Sequence, residues 1–282
     1  MRPELASIGH GRYPRNAPMP PSPASPAPPR RAVIVTGAAK RVGAAIAAAL
    51  GDAGWFVHIH YRHSAAEAEA LAATIRARGG AAATVAADFT RLDAAGATAL
   101  VAACAAEGPP LAALVNNASL FEYDTAATMN EERWHRHLQA NLTAPVLLSR
   151  AFAEAAKALP EGESGCIVNL LDNKVFATNP DYFSYTISKQ AFEGATRTLA
   201  LALAPKVRVC GVAPGIALIS GKQTEADFAR THRNNPLRHG CTPDDIARAV
   251  RFILDTAAMT GHTIVIDGGQ FLARMPRDVA FL

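Results

Sequence analysis

Short apolar runs rich in β-branched residues alternate with alanine-rich stretches of helical length along most of the 282-residue chain. This alternation is typical of βαβ units, in which helices connect parallel strands and cover both faces of the sheet. The strand-like runs are residues 32–36, 55–61, 82–87, 112–116, 166–171, 207–212 and 263–266. The helix-like stretches are residues 42–53, 65–78, 93–107, 131–158, 185–204 and 243–257. We therefore predict an α/β fold with a doubly wound, mostly parallel seven-stranded sheet, formed by a single domain over residues 32–282.

Residues that favour helix ends support several of these boundaries. Asp93 and Thr242 stand where an N-cap belongs, and Pro243 occupies a first helical turn. Pro145 lies inside the long central stretch and predicts a kink or break there, because proline lacks the backbone N–H. Residues 213–241 carry Gly, Pro, Asn and several charges with weak periodicity, so we predict a long loop near a functional site.

The net charge of the chain is concentrated at its N-terminus. The sequence has 28 Lys and Arg against 24 Asp and Glu, and residues 1–31 hold five Arg and one Glu. The rest of the chain, with 23 of each, is therefore neutral, which argues against a broad basic face for nucleic acid. The same 31 residues contain nine of the 19 prolines, so we predict a disordered, Pro-rich tail. Such a tail is either a dispensable extension or a docking segment for an SH3-like partner.

Cysteine spacing and hydropathy indicate the compartment. The four cysteines lie 31 to 62 residues apart without a C-x-x-C pair, which indicates neither a metal site nor a disulfide framework. No uncharged stretch is long enough to span a bilayer, and the first 31 residues contain no apolar signal core. We therefore predict a cytoplasmic protein that does not associate with membranes.

The segment from Thr36 to Gly43 has the composition of a phosphate-binding turn. It follows the first strand-like run, opens the first helix-like stretch, and consists of small residues apart from Lys40, Arg41 and Val42. Such a turn lets backbone N–H groups approach a pyrophosphate at a helix N-terminus, as in Rossmann-type folds. The pattern departs from G-x-G-x-x-G because Arg41 stands at the middle glycine, and a purely structural turn is the alternative reading.

The end of the second strand indicates which dinucleotide is bound. A site that prefers NAD has an acid near this point to hold the ribose 2′-hydroxyl, whereas arginine suits a 2′-phosphate. The sequence here is His60-Tyr61-Arg62-His63-Ser64, and the first acid is Glu67. We therefore predict NADPH/NADP⁺ as the cofactor, with Arg62 and Ser64 at its 2′-phosphate. The alternative is that Arg62 and His63 only solvate a strand end.

A tyrosine and a lysine four residues apart, Tyr185 and Lys189, lie on one face of a predicted helix. A nearby cation favours the phenolate, so such a pair suits proton transfer. Together with Asn116-Asn117-Ala118, Asn141 and Pro214-Gly215, the pair makes residues 32–272 resemble the short-chain dehydrogenase/reductase family. Asp88 and the Asp267-Gly268-Gly269 run complete the resemblance.

The resemblance implies an NADP-dependent oxidoreductase with a Rossmann-type sheet, active as a homotetramer. It implies that Asp88 meets the adenine, that Asn141 anchors a water leading protons to the site, and that Lys189 holds the nicotinamide ribose and lowers the pKa of Tyr185. The implied catalytic residues are Asn141, Asp172, Tyr185 and Lys189. The implied cofactor-binding residues are Gly37, Lys40, Arg41, Val42, Gly43, Tyr61, Arg62, His63, Ser64, Asp88, Phe89, Asn117, Ala118, Ser119, Tyr185, Lys189, Pro214 and Gly215.

One position departs from the family pattern. The family places a serine thirteen residues before the tyrosine, and this chain has Asp172 there. A carboxylate beside a tyrosine disfavours the phenolate when ionised and is a second acid when protonated. Asp172 therefore suits a substrate that needs a proton on nitrogen better than a simple ketone. The alternative is a misaligned surface aspartate.

Two further departures are similar to one subgroup, the pteridine reductases. These are Arg41 in the turn and the run Asn116-Asn117-Ala118-Ser119-Leu120-Phe121, with serine at a usual glycine. The resemblance implies that Phe121 stacks on a pterin and that Arg41 and Ser119 contact pterin and cofactor phosphate, with Asp172 and Tyr185 completing the substrate site. Alternatives are a core role for Phe121 and a turn role for Ser119.

These features predict an NADPH-dependent reductase that transfers a hydride to a C=N bond of a dihydropteridine or folate-like substrate. The first alternative is a carbonyl or 3-oxoacyl thioester reductase in which Asp172 merely replaces serine. The second is a catalytically silent NADPH-binding scaffold that acts through its tail. We expect Asn173, Lys174, Tyr182 and residues 216–239 to shape the substrate pocket, and residues 271–282 to pack across a subunit interface.

Overall fold

A seven-stranded sheet in which every neighbouring pair is parallel forms the centre of the molecule. The computed structural model describes residues 31–219, 223–273, 275–278 and 281. The strands are β1 (Ala32–Val35), β2 (Phe56–Tyr61), β3 (Ala81–Ala86), β4 (Leu111–Asn116), β5 (Gly165–Leu170), β6 (Val207–Pro214) and β7 (Thr263–Ile266). Their order is β3-β2-β1-β4-β5-β6-β7, which confirms the doubly wound arrangement predicted from the alternating pattern.

Helices cover both faces of the sheet. They are α1 (Arg41–Asp52), α2 (Ala65–Ala77), α3 (Ala94–Ala106), α4 (Glu131–Leu138), α5 (Ala144–Ala155), α6 (Phe183–Leu203), α7 (Glu225–His232) and α8 (Pro243–Asp255). Apolar side chains of α1, α2 and α8 pack on one face, and those of α3, α5 and α6 pack on the other. Alternate residues of β1 enter the two cores, Val33 on one side and Ile34 on the other. Burial on both faces explains why the strands appear in the sequence as continuous apolar runs.

The helix-end signals in the sequence are confirmed. Asp93 caps α3 by accepting a hydrogen bond of 2.7 Å from the backbone N–H of Gly96. Thr242 and Asp245 form a capping box at the start of α8, with Pro243 in the first turn. These caps satisfy helix N–H groups that have no partner within the helix.

The long central stretch remains helical throughout, and its hydrogen-bond pattern changes just before Pro145. A π-helical segment, Gln139–Thr143, separates α4 from α5, and Pro145 lies in the first turn of α5. A first turn tolerates proline because the missing N–H has no acceptor there.

The expectation of a continuous loop over residues 213–241 is wrong. Residues Glu225–His232 form α7, which begins with a capping box between Thr224 and Asp227. Thr231 is the one buried residue of α7. The segment therefore lacks the repeated apolar positions that would indicate a helix in the sequence.

The N-terminal tail lies almost wholly outside the described residues. Its last member, Arg31, belongs to the domain: its backbone oxygen accepts from Phe56 N at 2.9 Å, and its guanidinium lies 3.0 Å from the Glu163 carboxylate. Over the described ranges, none of the helices combines the length and apolar character needed to cross a membrane.

Candidate active site

A cavity of about 770 Å³ opens at the carboxyl ends of the strands. Ligands of doubly wound sheets bind at this edge, where the strand order reverses. The cavity runs from the turn after β1 to the loop after β5 and the start of α6. Most of the predicted site residues line its wall: Gly37, Lys40, Arg41, Val42, Gly43, Arg62, Asp88, Phe89, Asn117, Ala118, Ser119, Phe121, Asp172, Tyr185, Lys189, Pro214 and Gly215.

The turn after β1 is closely packed and needs both of its glycines. Gly37 has φ +60°, and a Cβ there would lie 2.9 Å from the Cα of Ala118. A Cβ on Gly43 would lie 2.6 Å from the Asn117 side-chain nitrogen, which donates to the backbone oxygens of Thr36 and Gly37. The helix α1 therefore starts directly against the turn.

The N-terminus of α1 suits an anion. The first N–H groups of a helix have no intrahelical acceptor, and the N-cap residue Lys40 provides no side-chain cap. The Lys40 ammonium instead pairs with Glu67 at 2.6 Å. Arg41 has an unusual φ of +58° at the first helical position, and its guanidinium donates to the Ile219 backbone oxygen at 2.9 Å. Arg41 thus links the phosphate turn to the segment after β6.

The residues at the end of β2 differ in their position relative to the cavity. Arg62 lines the cavity and pairs with Asp88 at 3.1 Å. Tyr61, His63 and Ser64 are not among the cavity-lining residues. His63 is exposed beside the opening, and Ser64 is the N-cap residue of α2.

Tyr185, Asp172 and Lys189 meet at the far end of the cavity. The Tyr185 hydroxyl donates to the Asp172 carboxylate at 2.7 Å, and the other carboxylate oxygen accepts from the Lys174 backbone N–H at 2.8 Å. The Lys189 ammonium donates to the Leu170 backbone oxygen at 2.7 Å and lies 5.7 Å from the centre of the Tyr185 ring. Asp172 is therefore part of the site, and the reading of it as a misaligned surface residue is wrong.

The environment shifts the pKa of all three groups. Burial raises the pKa of the Asp172 carboxyl above its usual range. Burial, and then the adjacent Asp172 carboxylate, raises the pKa of Tyr185 well above its usual range. Burial lowers the pKa of Lys189 to about 8, although Asp172 acts in the opposite direction. The pKa of Tyr185 is therefore raised overall, and the tyrosine stays protonated at neutral pH.

Asn141 is buried behind the site, and it is not among the cavity-lining residues. Its side-chain nitrogen donates to the Leu120 backbone oxygen at 2.9 Å and to the Ser188 hydroxyl at 3.0 Å. Its side-chain oxygen accepts from Leu120 N at 2.7 Å and from the Ser119 hydroxyl at 3.3 Å. Through these bonds Asn141 holds the Ser119–Leu120 backbone against α6, and its role as an anchor for water stays a prediction.

Aromatic rings surround the cavity mouth. Phe121 is 42% exposed, which excludes a core role. Its ring stacks on Tyr182, with centroids 4.2 Å apart and planes 17° apart, and meets the edge of Tyr185 at 4.7 Å. Ser119 is exposed on the same wall. A flat, half-open aromatic surface therefore lies next to the Tyr185 hydroxyl.

Sequence reasoning missed the contribution of the C-terminal segment. Arg277 and Asp278 line the cavity beside the predicted Lys174. The Arg277 guanidinium makes two hydrogen bonds to Asp181, of 2.8 and 2.7 Å, and the buried Lys174 ammonium pairs with Asp278 at 2.9 Å. We had expected this segment at an interface. A local sequence signal for these contacts is absent because the partners lie up to 104 residues apart in the numbering (278 − 174).

A second missed residue is Asp124, which is fully buried. Its carboxylate accepts from the backbone N–H of Ser184 at 2.9 Å and from the Ser184 hydroxyl. It thereby caps α6 from the loop after β4, one residue before Tyr185. The capping partner is 60 residues away, which is why the start of α6 gave no capping signal.

Comparison with known proteins agrees with this geometry. The family model for short chain dehydrogenases matches residues 31–227. Pteridine reductase 1 of Leishmania tarentolae is 34% identical over 279 aligned positions, which cover 86% of this chain and 96% of that protein. A 3-oxoacyl-[acyl-carrier-protein] reductase of Synechocystis is 32% identical, covering 85% and 96%.

A solved structure is also similar. FolM alternative dihydrofolate reductase 1 from Brucella canis, complexed with NADP, matches with a TM-score of 0.78 and 40% identity over 86% of this chain and 94% of that one. In the present chain, the helix start without a side-chain cap, the close-packed glycine turn and Arg62 fit a phosphate-bearing dinucleotide. The chain therefore belongs to the short-chain dehydrogenase family and is an NADP-dependent oxidoreductase.

Proposed function

We propose that the protein reduces a C=N bond of a dihydropteridine or folate-like substrate. The observation that carries this proposal is the hydrogen bond of 2.7 Å between the Tyr185 hydroxyl and the Asp172 carboxylate. Reduction of a C=N bond needs one hydride on carbon and one proton on nitrogen, and two adjacent oxygen acids supply and replace such a proton. A ketone reductase needs only a hydrogen-bond donor at this position, which the family's usual serine provides.

The proton path runs through residues of this chain. NADPH, when bound, supplies the hydride. Tyr185, kept protonated by its raised pKa, donates its phenolic proton to the substrate nitrogen. The Lys189 ammonium, close to the phenol ring, offsets the charge that develops on the phenolate oxygen. Asp172, whose own pKa is raised, takes up a proton from solvent and passes it to the Tyr185 phenolate for the next turnover.

The aromatic mouth supports a flat substrate. Phe121 and Tyr182 present stacked faces beside Tyr185, and a pteridine ring is a planar heteroaromatic that gains from offset stacking and apolar burial. Ser119 and Arg41 line the same cavity and offer hydrogen bonds to a polar ring edge. The name of the Leishmania relative and that of the Brucella structure point to the same substrate class.

We assign the cofactor contacts on the same basis. The α1 N-terminus with Gly37 and Gly43 holds the pyrophosphate, and Arg62 faces the 2′-phosphate from the β2 end. Asp88 lies at the adenine end, and Lys189 holds the nicotinamide ribose. We also propose that residues 32–282 form a single folded domain. The cofactor contacts and the substrate contacts occupy neighbouring parts of its cavity.

The experiment is a comparison of substrates with purified protein. NADPH consumption is followed with a dihydropteridine, with dihydrofolate and with an acetoacetyl thioester. We expect rapid oxidation with the dihydropteridine, and in Tyr185→Phe a fall in turnover of about 10³-fold with NADPH binding retained. Reaction with the thioester alone would establish the carbonyl reductase reading instead. NADPH binding without turnover of any of the three would support the scaffold reading.

The variant Asp172→Ser separates the first two readings. If Asp172 serves the proton transfer, turnover of the dihydropteridine falls by about 10- to 100-fold while the KM for NADPH stays unchanged. If Asp172 only replaces serine, turnover of the pteridine is unaffected and turnover of the thioester appears or improves.

We further propose that the enzyme works as a homotetramer in the cytoplasm. Two large apolar side chains on the outer faces of α6 and α8, Leu201 and Phe252, are 84% and 56% exposed, which supports association through these helices. All four cysteines are free and buried, which supports a reducing compartment. Light scattering of the purified protein tests the first statement, and cell fractionation tests the second.

A further inference from the structure

We propose that His60 is a positioning residue of the cofactor site: its imidazole ties the phosphate-binding turn to the wall at the adenine end. His60 is buried in β2, with 2% of its surface exposed, between the turn after β1 and the end of β3. The proposal adds a role to a residue that none of the proton-transfer steps above uses.

The hydrogen bonds of His60 define its tautomer. The backbone N–H of Gly37 donates to Nδ1 at 2.9 Å, so Nδ1 carries a lone pair. The proton therefore lies on Nε2, which donates to the Ala87 backbone oxygen at 3.1 Å. In addition, the backbone N–H of Ala38 donates to the His60 backbone oxygen at 2.8 Å. One residue thus accepts two consecutive N–H groups of the turn.

The ring is kept neutral and flat against the cavity wall. Burial lowers the pKa of His60 to about 4, so the lone pair on Nδ1 persists at neutral pH. The imidazole stacks on Phe89, with centroids 4.1 Å apart and planes 6° apart. Phe89 and Asp88 line the cavity directly after Ala87. The hydrogen bond to Ala87 and the ring contact with Phe89 therefore both attach His60 to the wall at the adenine end of the cavity.

The arrangement decides which groups remain for an anion. The side chain of Asn117 holds the carbonyl oxygens of Thr36 and Gly37, and His60 holds the amides of Gly37 and Ala38. Both sides of this stretch of backbone are therefore occupied by protein partners. A pyrophosphate must then bind further along, at the first N–H groups of α1, and the φ of +60° at Gly37 is held in place before the cofactor arrives.

A second buried histidine of the same strand offers a matched control. His58 is 1% exposed, lies two residues before His60, and has a ring nitrogen, Nε2, without a hydrogen-bond partner among the described residues. Its ring packs against Phe56, at 4.9 Å, at the end of β2 away from the turn. Changing either histidine should therefore lower the stability of the protein, whereas only a change of His60 should also weaken cofactor binding.

The experiment measures NADPH binding by fluorescence titration and thermal unfolding without cofactor for His60→Leu, His60→Asn and His58→Leu. We expect the Kd for NADPH to rise about tenfold in His60→Leu, since a buried N–H loses its acceptor, with kcat at saturating NADPH within about threefold of wild type. His60→Asn, whose side-chain oxygen replaces Nδ1, should recover most of the affinity. His58→Leu should keep the wild-type Kd whatever its melting temperature.

Two results would overturn the proposal. The first is an unchanged Kd in His60→Leu, or an equal rise in His58→Leu. The second comes from the nitrogen-15 spectrum of the imidazoles in the cofactor-free protein: a proton on Nδ1 of His60 is incompatible with its acceptor role. If His60→Leu does not fold, His60→Asn and the spectrum decide the question: a Kd for NADPH that rises about tenfold or more in His60→Asn, or a proton on Nδ1 of His60 in the wild type, would contradict the proposal.

Discussion

The two ends of the cavity are held together in different ways. At the cofactor end, the turn after β1 is fixed by backbone groups and by neutral side chains, chiefly Asn117 and His60. At the substrate end, charged groups pair across long sequence distances: the buried Asp181 pairs with the half-exposed Arg277, and Lys174 pairs with Asp278 with little exposure of either. Steric fit therefore governs the first end and electrostatics the second, so the two ends should respond differently to mutation and to pH.

The largest expected effect comes from a single methyl group at the cofactor end. A Cβ in Gly43→Ala would lie 2.6 Å from the Asn117 side-chain nitrogen and 2.9 Å from the Cα of Ala38, so the turn must move. We expect the Kd for NADPH to rise by about 100-fold, which corresponds to about 2.7 kcal/mol. Calorimetric titration measures it. The matched control is Gly194→Ala in α6, where, apart from the backbone of α6 itself, none of the described residues comes within 4 Å of the new Cβ, and a rise there as well would contradict the steric account.

A pH effect is expected next, and it belongs to the substrate end. Because burial lowers the pKa of Lys189 to about 8, below its unfolded value of 10.5, the unfolded chain binds more protons between these two pH values. Stability from this group therefore increases as the pH rises from 8 to 10.5, by roughly 1 kcal/mol per pH unit, and is lost as the pH falls through 8. Denaturant unfolding of cofactor-free wild type and Lys189→Met measures it.

As the pH rises from 8 to 10.5, the free energy of unfolding of wild type should increase relative to that of Lys189→Met. A difference that does not vary with pH would mean that Lys189 remains charged in the folded protein, and the contrast between the two ends would then weaken. Tyr185 does not interfere in the lower part of the interval, because its own pKa lies well above the usual value.

The smallest expected effect tests the C-terminal contact. In Arg277→Ala the two hydrogen bonds to Asp181 are lost, while Lys174 still pairs with Asp278. Because Arg277 is about half exposed, we expect only a rise of about fivefold in the KM for the substrate, with the Kd for NADPH unchanged. Steady-state kinetics at saturating NADPH measures it. An equal rise in the Kd for NADPH would show that the two ends are not independent.

The same contrast explains how much of the molecule the sequence predicted. The alternation of strands and helices, the glycine turn and the Tyr185–Lys189 pair follow from local patterns, and the structure places all of them within a few residues of the expectation. Asp172 was found through the family resemblance, which places a serine thirteen residues before the tyrosine, and its carboxylate accepts a hydrogen bond from Tyr185. The sequence was therefore sufficient to predict features that are formed by one strand, one turn and one helix.

Features that depend on distant partners were missed. The cap that Asp124 provides to α6 and the pairing of Arg277 with Asp181 join residues 60 and 96 positions apart. The contacts of Asn141 could not be predicted for the same reason, because its partners come from the loop after β4 and from α6.

The position of Asp278 in the wall of the cavity has a consequence for synthesis. A nascent chain that has emerged as far as Ala118 already carries the glycine turn together with the Asn117 and His60 contacts that fix it. The opposite wall is complete only when Asp278 has left the ribosome. The backbone N–H of Asp278 donates to the carboxylate of Asp181, which lies 97 residues earlier in the chain. A growing chain thus contains the phosphate-binding turn long before it contains all the residues that enclose a substrate.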